Sequence, residues 1–253
     1  MELRDELLDS LILDNTYIKL EDLDKKDKLE KIIPIVKDMK IVGECRYHVV
    51  DVYKHSLYSL KELEEDMRDV DFFRSHLKDE IKLYLEAKVD NKFNRYHILK
   101  LGLFLHDAGK PGSKTTDSTG RVHFKGHEVI GEKIGEEIAT NLNLSLIAKE
   151  LLCKYIRNHM ILLVLYKTDD MSKERLFKIF DELGDDTIGI MLLGYADIVA
   201  NQCIDKFYFN NPTEKETKEF EKYLENETNY INDRLIGIDN YYEDYAKYVL
   251  TRK

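Results

Sequence analysis

Residues 103–112, LFLHDAGKPG, place a histidine and an aspartate side by side at the end of an apolar run. The leucines before the pair stand at helical spacing from His106, which predicts a helix whose inner face carries that histidine. Neighbours on a helix point about 100° apart, so His106 and Asp107 can face one ligand only where the helix ends. Gly109 and Pro111 predict such an end. Imidazole beside carboxylate indicates a metal site.

The rest of the chain shows helical apolar periodicity without a convincing alternating strand pattern. We predict helices over 1–13, 24–38 (broken at Pro34), 48–66, 72–88, 94–107, 126–141, 145–159, 172–183, 186–204, 213–232 and 240–250, and a loop over 109–124. The 253 residues include only 12 glycines and 3 prolines, and 35% are charged, which is typical of helical globular proteins. The sequence therefore predicts an all-α bundle, with a helical flank over 1–30 and a helical extension over 206–253 that packs on the same domain.

Charge and cysteine content restrict the class of protein. The net charge of −10 opposes binding to long DNA or RNA, which depends on lysine and arginine, although a small basic pocket remains compatible with it. Cys45, Cys153 and Cys203 form no CxxC pair, so neither a disulfide framework nor a cysteine zinc site is indicated. The N-terminus lacks a signal-peptide pattern, and the apolar run at 160–166 is too short to cross a bilayer. We expect a cytoplasmic protein without a membrane partner.

Four further residues have the character of metal ligands. His55 lies among apolar residues of a predicted helix, His127 begins an amphipathic helix, and His159 precedes the apolar run. Asp197 lies within an otherwise apolar helix, where an unpaired carboxylate would cost on the order of several kcal/mol. A buried cation would satisfy them together with His106 and Asp107. The other histidines, at 48, 76 and 97, are interpreted as ordinary surface or core residues.

In order, these ligand types resemble the HD-domain metal-dependent phosphohydrolase superfamily in its two-metal form. The segments LGLFLHDAGKPGSKTTDSTGRVHFKGHEVIGEKI, RNHM and GYAD are similar to the HD domain of bacterial tRNA nucleotidyltransferases, the CCA-adding enzymes. The likeness covers roughly residues 30–205 and implies an HD-domain helical bundle over 31–205.

The resemblance also implies roles for single residues. Its metal ligands fall on His55, His106, Asp107, His127, His159 and Asp197. They would hold one or two divalent ions, and their nitrogen content favours Mn, Fe, Co, Ni or Zn. Asp107 matches the bridging carboxylate, and Lys110, expected on a flexible loop, matches the lysine near the scissile phosphate. Further substrate contacts are expected from Lys114, Lys125 and Arg157, for which an ordinary surface role is an equal alternative. His123 matches no ligand position and is interpreted as an ordinary residue, although its place next to the site in sequence makes it a marginal candidate for a substrate contact.

The function that follows is metal-dependent hydrolysis, as a phosphodiesterase or phosphatase, of a nucleotide, a nucleotide-like phosphoester or the end of an RNA. Two alternatives stay open: a di-iron HD-domain oxygenase and a non-catalytic nucleotide-sensing module. Only about 30 helical residues precede the similar region, so no nucleotidyltransferase head, and no nucleotide addition, is expected. Phe177 and Lys178 stand where relatives tend to carry paired arginines, which puts RNA-end specificity in doubt. A homodimer and the role of the aromatic C-terminal segment are left open.

Overall fold

The computed structural model describes residues 3–42, 50–68, 75–168 and 172–200. Its helices are α1 (Leu3–Ser10), α2 (Thr16–Lys25), α3 (Leu29–Ile32), α4 (Val36–Met39), α5 (Val52–Asp66), α6 (Ser75–Glu86), α7 (Arg95–Leu105), α8 (Lys110–Ser113), α9 (His127–Asn141), α10 (Leu146–Asn158), α11 (Ile161–Thr168), α12 (Lys173–Leu183) and α13 (Thr187–Val199). One antiparallel pair of two-residue strands, β1 (Thr115–Thr116) and β2 (Val122–His123), forms a hairpin. The predicted all-α class is confirmed.

Helix α7 lies at the centre of the bundle. It is buried from Ile98 to Leu105, and it packs against α5, α6, α9, α10 and α13. Tyr155 of α10 is fully buried and lies so close to α7 that a Cβ on Gly102 would approach its Cβ to 3.1 Å. The close packing fixes the direction in which the end of α7 points.

Helix α2 is attached to this core by a buried ion pair. Glu64 of α5 accepts hydrogen bonds from the backbone amides of Thr16 (2.8 Å) and Tyr17 (3.2 Å), so it caps the start of α2. Lys100 of α7 lies 3.5 Å from the Glu64 carboxylate and donates a 2.6 Å hydrogen bond to the Leu13 carbonyl. The N-terminal flank is thus held by charged groups in the interior.

A second polar cluster joins the start of α13 to α6, α7 and α10. Asp186 forms ion pairs with Arg95 and with Lys154, whose Nζ is 2.6 Å away. The hydroxyl of Tyr84 lies 3.4 Å from Asp186 and 2.7 Å from the hydroxyl of Tyr155. One carboxylate therefore helps to set the relative positions of four helices.

The structure differs from the predicted elements in three places. Helix α2 was not predicted, because its narrow buried stripe (Thr16, Leu20 and Leu23) is obscured by charged residues. The apolar run at 160–166 contributes to α11, and the predicted loop contains α8 and the hairpin. The break at Pro34 is confirmed, since α3 ends at Ile32 and α4 begins at Val36.

The predicted helices at 213–232 and 240–250, and with them the extension over 206–253, lie outside the described residues. The proposed domain boundaries remain predictions. Among the described helices, none combines the length and apolar character that crossing a membrane requires.

Candidate metal centre

Six side chains proposed as ligands converge at one place in the bundle. Asp107 belongs to two groups whose ligand atoms could each hold a metal ion: His55, His106, Asp107 and Asp197 in the first, and Asp107, His127 and His159 in the second. Five of the six residues are buried, and the side chain of Asp197 is 13% exposed. The ends of α7 and α10 and the start of α9 meet here, between α5 and α13.

The turn after α7 allows this convergence. Helix α7 ends at Leu105, and a new short helix begins at Lys110, with Pro111 in its first turn. A Cβ on Gly109 would lie 2.6 Å from the Gly131 amide nitrogen and closer still to the His127 carbonyl oxygen. Gly109 therefore does more than end a helix, because its missing side chain lets the turn lie against the first turn of α9.

In the first group, two imidazoles face two carboxylates. The Nε2 atom of His55 is 2.9 Å from Asp197 Oδ1 and 4.0 Å from Asp107 Oδ2. The Nε2 atom of His106 is 3.4 Å from Asp197 Oδ1 and 3.3 Å from Asp107 Oδ2. Four residues from three separate parts of the chain thus direct nitrogen and oxygen atoms into one small volume.

In the second group, the other oxygen of the same carboxylate faces two imidazoles. Asp107 Oδ1 is 3.3 Å from His127 Nε2 and 3.8 Å from His159 Nε2. The two Nε2 atoms are 3.1 Å apart. Asp107 therefore offers one oxygen to each group.

Backbone carbonyls orient three of the imidazoles in the same way. In each case Nδ1 lies by the carbonyl oxygen three residues earlier: His106 by Leu103 at 2.6 Å, His127 by Phe124 at 2.8 Å, and His159 by Ile156 at 2.7 Å. A carbonyl only accepts, so Nδ1 carries the proton and, in a neutral ring, Nε2 carries the lone pair. This is the arrangement found in metal-ligating histidines.

This tautomer provides a test of whether a cation fits. The lone pairs of His127 and His159 face each other at 3.1 Å, and two acceptors at that distance repel unless a positive charge lies between them. His106 Nε2 is buried and makes no hydrogen bond of good geometry, despite the two carboxylates beside it. The first observation fits a metal ion in the second group, and the second observation fits one in the first group.

Electrostatics favour positive charge at this centre. Burial lowers the pKa of His159 to about 3, which keeps its ring neutral. Burial also acts on His106, but Asp107 and Asp197 outweigh it and raise the pKa of that ring to about 10, so this ring carries a proton at neutral pH unless a cation takes the proton's place. For Asp107, burial opposes ionisation, yet Lys110 and His106 hold its pKa well below the usual range. The carboxylates are thus ionised and attract positive charge.

Lys110 occupies a different position from the one predicted. It begins α8 rather than lying on a flexible loop, its side chain is only 9% exposed, and Nζ forms an ion pair with Asp107 Oδ2. The ammonium group also lies 5.8 Å from the centre of the Phe124 ring. Lys110 therefore places a positive charge beside the carboxylate that both groups share.

Three of the expected substrate contacts lie on or beside the hairpin. Lys114 and Lys125 are exposed, and His123 Nε2 lies 2.7 Å from the Asp117 carboxylate within the hairpin. None of the contacts described for these residues joins them to the six candidate ligands. Asp117 also accepts hydrogen bonds from the Thr119 hydroxyl and from the Arg121 amide, so His123 takes part in a local turn network.

Arg157 lies nearer to the second group. Its guanidinium nitrogens are 3.9 Å from Glu128 and 3.8 Å from Glu132. Glu128 Oε2 is 3.6 Å from His127 Nδ1, and sequence reasoning did not single out this glutamate. Its place directly after His127, in the first turn of an amphipathic helix, was the available signal.

The chain matches the family model of the HD domain over residues 47–184, which is more than half of its length. The A-adding tRNA nucleotidyltransferase of Deinococcus radiodurans is 24% identical over 165 residues, which are 65% of this chain and 32% of that protein. The chain thus spans about a third of the length of this relative. The resemblance predicted from the sequence is confirmed: the chain belongs to the HD domain family.

Proposed function

We propose that this protein is a metal-dependent phosphohydrolase that cleaves a phosphodiester or phosphomonoester of a nucleotide or nucleotide-like compound. The observation that carries the proposal is the position of Asp107, whose two oxygens face two separate groups of ligand atoms. A two-metal site of this kind is suited to displacement at phosphorus by water. The nitrogen-rich ligand set favours one or two ions of Mn, Fe, Co, Ni or Zn.

Each side chain has a defined task in this mechanism. The histidines and Asp197 would hold the ions, which supply Lewis acidity and make an attacking hydroxide available at neutral pH. Asp107 would link the two groups, because one of its oxygens faces each of them. Lys110 supplies positive charge for the phosphoryl oxygens from its place beside Asp107. Burial of these charges in a site that excludes most water strengthens each interaction.

The test is hydrolysis by protein loaded with Mn²⁺, Co²⁺ or Ni²⁺, with bis(p-nitrophenyl) phosphate and nucleoside 2′,3′-cyclic phosphates as substrates. We expect turnover that His106→Ala and Asp107→Ala abolish. His97→Gln is a matched control, because His97 caps the start of α7 and Gln can serve in the same capping box. Protein that binds metal but hydrolyses none of these substrates would refute the proposal.

The two alternatives give different results in parallel assays. A di-iron oxygenase would consume oxygen when loaded with iron, and would leave the phosphoesters intact. A sensing module would bind a nucleotide without turnover, and the Asp107→Ala change would affect only affinity and stability. Neither alternative has an observation among the described residues that favours it over hydrolysis.

A further inference from the structure

A cleft of about 580 Å³ lies between α11 and α12. One side of it is an aliphatic wall, formed by Ile161, Val164 and Leu165, which share a face of α11 because they stand three and four residues apart. Ile179 of α12 faces the same cleft. Val164 is 40% exposed, so the core of the bundle does not cover this wall.

The charged residues around the cleft balance one another. Three cations and two carboxylates line it: Arg157, Arg175, Lys178, Glu128 and Glu182. A third carboxylate, that of Glu132, lies 3.8 Å from Arg157 and offsets the remaining positive charge. The rim therefore does not favour an ion of either sign, and the aliphatic wall decides what binds. Grooves of this character bind amphipathic helices through apolar anchors at helical spacing.

The C-terminal segment of the same chain contains anchors of this kind. In the helix that the sequence predicts over 240–250, Tyr241, Tyr245 and Tyr248 stand four and three residues apart and therefore share one face, the tyrosine face. A tyrosine ring has a large apolar surface and a polar hydroxyl. The rings can thus contact the aliphatic wall while the hydroxyls stay at the charged rim.

The length of the chain allows this segment to reach the cleft. The last described helix, α13, packs on α11, where a Cβ on Gly194 would lie 3.1 Å from the Cβ of Leu162. Residues 201–239 then connect α13 to the segment, and an extended chain of that length spans up to about 130 Å. A segment tethered in this way has an effective concentration in the millimolar range, which a second copy of the chain would have to exceed.

We propose that residues 240–250 dock as a helix in the cleft between α11 and α12 of the same chain, with the tyrosine face against the aliphatic wall. The docked helix covers Val164 and holds α11 to α12. It does so beside Asn158, which lines the cleft at the end of α10. The proposal does not depend on the proposed function, because no step of hydrolysis enters it.

The test is photo-cross-linking of the full chain with p-benzoylphenylalanine in place of Val164, whose exposure leaves room for the larger side chain. After irradiation, the product should migrate as a single chain. Mass spectrometry of its tryptic peptides should then find position 164 joined to a peptide from 240–250. The matched control carries the same group in place of Leu83, which is 74% exposed on α6, outside the residues that line the cleft. We expect no cross-link from position 83 to that segment.

Two further variants test the tyrosine face itself. Tyr245→Glu should reduce the yield of the cross-link from position 164 by about tenfold or more, because an unpaired carboxylate against an apolar wall is costly. Ala246→Glu adds the same charge about 100° farther around the helix, away from the tyrosine face, and should change the yield by less than about twofold. Circular dichroism checks that both variants retain the fold.

Three results would overturn the proposal. The first is a cross-link between two chains, which would assign the cleft to a second copy. The second is a failure of position 164 to cross-link to residues 240–250. The third is an equal effect of Tyr245→Glu and Ala246→Glu on the yield. Because none of these measurements involves turnover, the docking proposal and the proposed function can fail separately.

Discussion

Replacing Gly109 by alanine should damage both the fold and the metal centre. The new Cβ would lie 2.6 Å from the Gly131 amide nitrogen, and it must move to about 3.4 Å to reach ordinary van der Waals contact. The turn after α7 and the start of α9 must therefore separate by at least about 0.8 Å, and by more at the His127 carbonyl oxygen, which is closer still, because these partners are backbone atoms that cannot rotate away. His127 lies at this start of α9 and would move away from Asp107 Oδ1, from which it is 3.3 Å distant.

Overpacking of this kind costs about 1–3 kcal/mol of unfolding free energy. For a chain of this size each kcal/mol lowers the unfolding midpoint by about 2–4 °C. Thermal unfolding followed by circular dichroism measures the change, and metal analysis of the same samples should show less bound Mn²⁺. The matched control is Gly112→Ala, whose Cβ would meet Ile130 at an ordinary 3.4 Å. Equal midpoints and metal contents for Gly109→Ala and Gly112→Ala would refute the reasoning.

Three further changes test other parts of the structure. Burial lowers the pKa of His97 to about 4 from an ordinary value of 6.5, so the free energy of unfolding should decrease as pH falls from about 6.5 to 4, and His97→Gln should reduce that dependence. Glu64→Ala leaves the buried Lys100 without its carboxylate and should cost about 3–5 kcal/mol in urea unfolding. His159→Ala should weaken Mn²⁺ binding by roughly tenfold or more, because removing even a residue that only hydrogen-bonds to a metal ligand lowers metal affinity by about tenfold.

Each of these changes has an outcome that would contradict the reasoning behind it. The free energy of unfolding should fall as pH falls because His97 is neutral in the folded protein. Its Nδ1 accepts a hydrogen bond from the Asn94 amide at 3.2 Å, and a protonated ring cannot do so. A stability that is flat between pH 6.5 and 4 contradicts that assignment. For the buried pair, Glu64→Gln combined with Lys100→Met should lose less stability than Glu64→Ala, and the reverse order would be inconsistent with an unpaired charge as the cause. For His159, unchanged Mn²⁺ affinity would exclude it as a ligand.

The helices near the centre could be predicted because several local signals agree. For α10, apolar periodicity coincides with Ser145, whose side chain accepts from the Ala148 amide at the N-terminus of the helix. The ligand candidates also followed from local signals: a histidine at a predicted helix end, and an aspartate inside an apolar helix. These features depend on residues that are close in sequence, so they can be predicted from a single sequence.

The remaining features depend on contacts that are distant in sequence. Glu64 lies in the charged segment KELEE and reads as a surface residue, but the start of α2 and Lys100 bury it. Lys110 follows a helix end and reads as a loop residue, yet its side chain turns back to Asp107. The role of Gly109 depends on the approach of α9, for which the sequence of the turn contains no signal. Periodicity and turn rules do not report any of these contacts.

The carbonyl three residues before each of His106, His127 and His159 affects how tightly the centre can bind a metal ion. Each ring is held by a carbonyl of its own local segment. Most of its rotational freedom is therefore lost as soon as the helix terminus beside it forms. An arriving ion therefore does not have to order these side chains, and more of the interaction energy is retained as affinity. The centre is preorganised by short-range geometry, while the long-range packing of α7, α9 and α10 serves to bring three prepared ligands together.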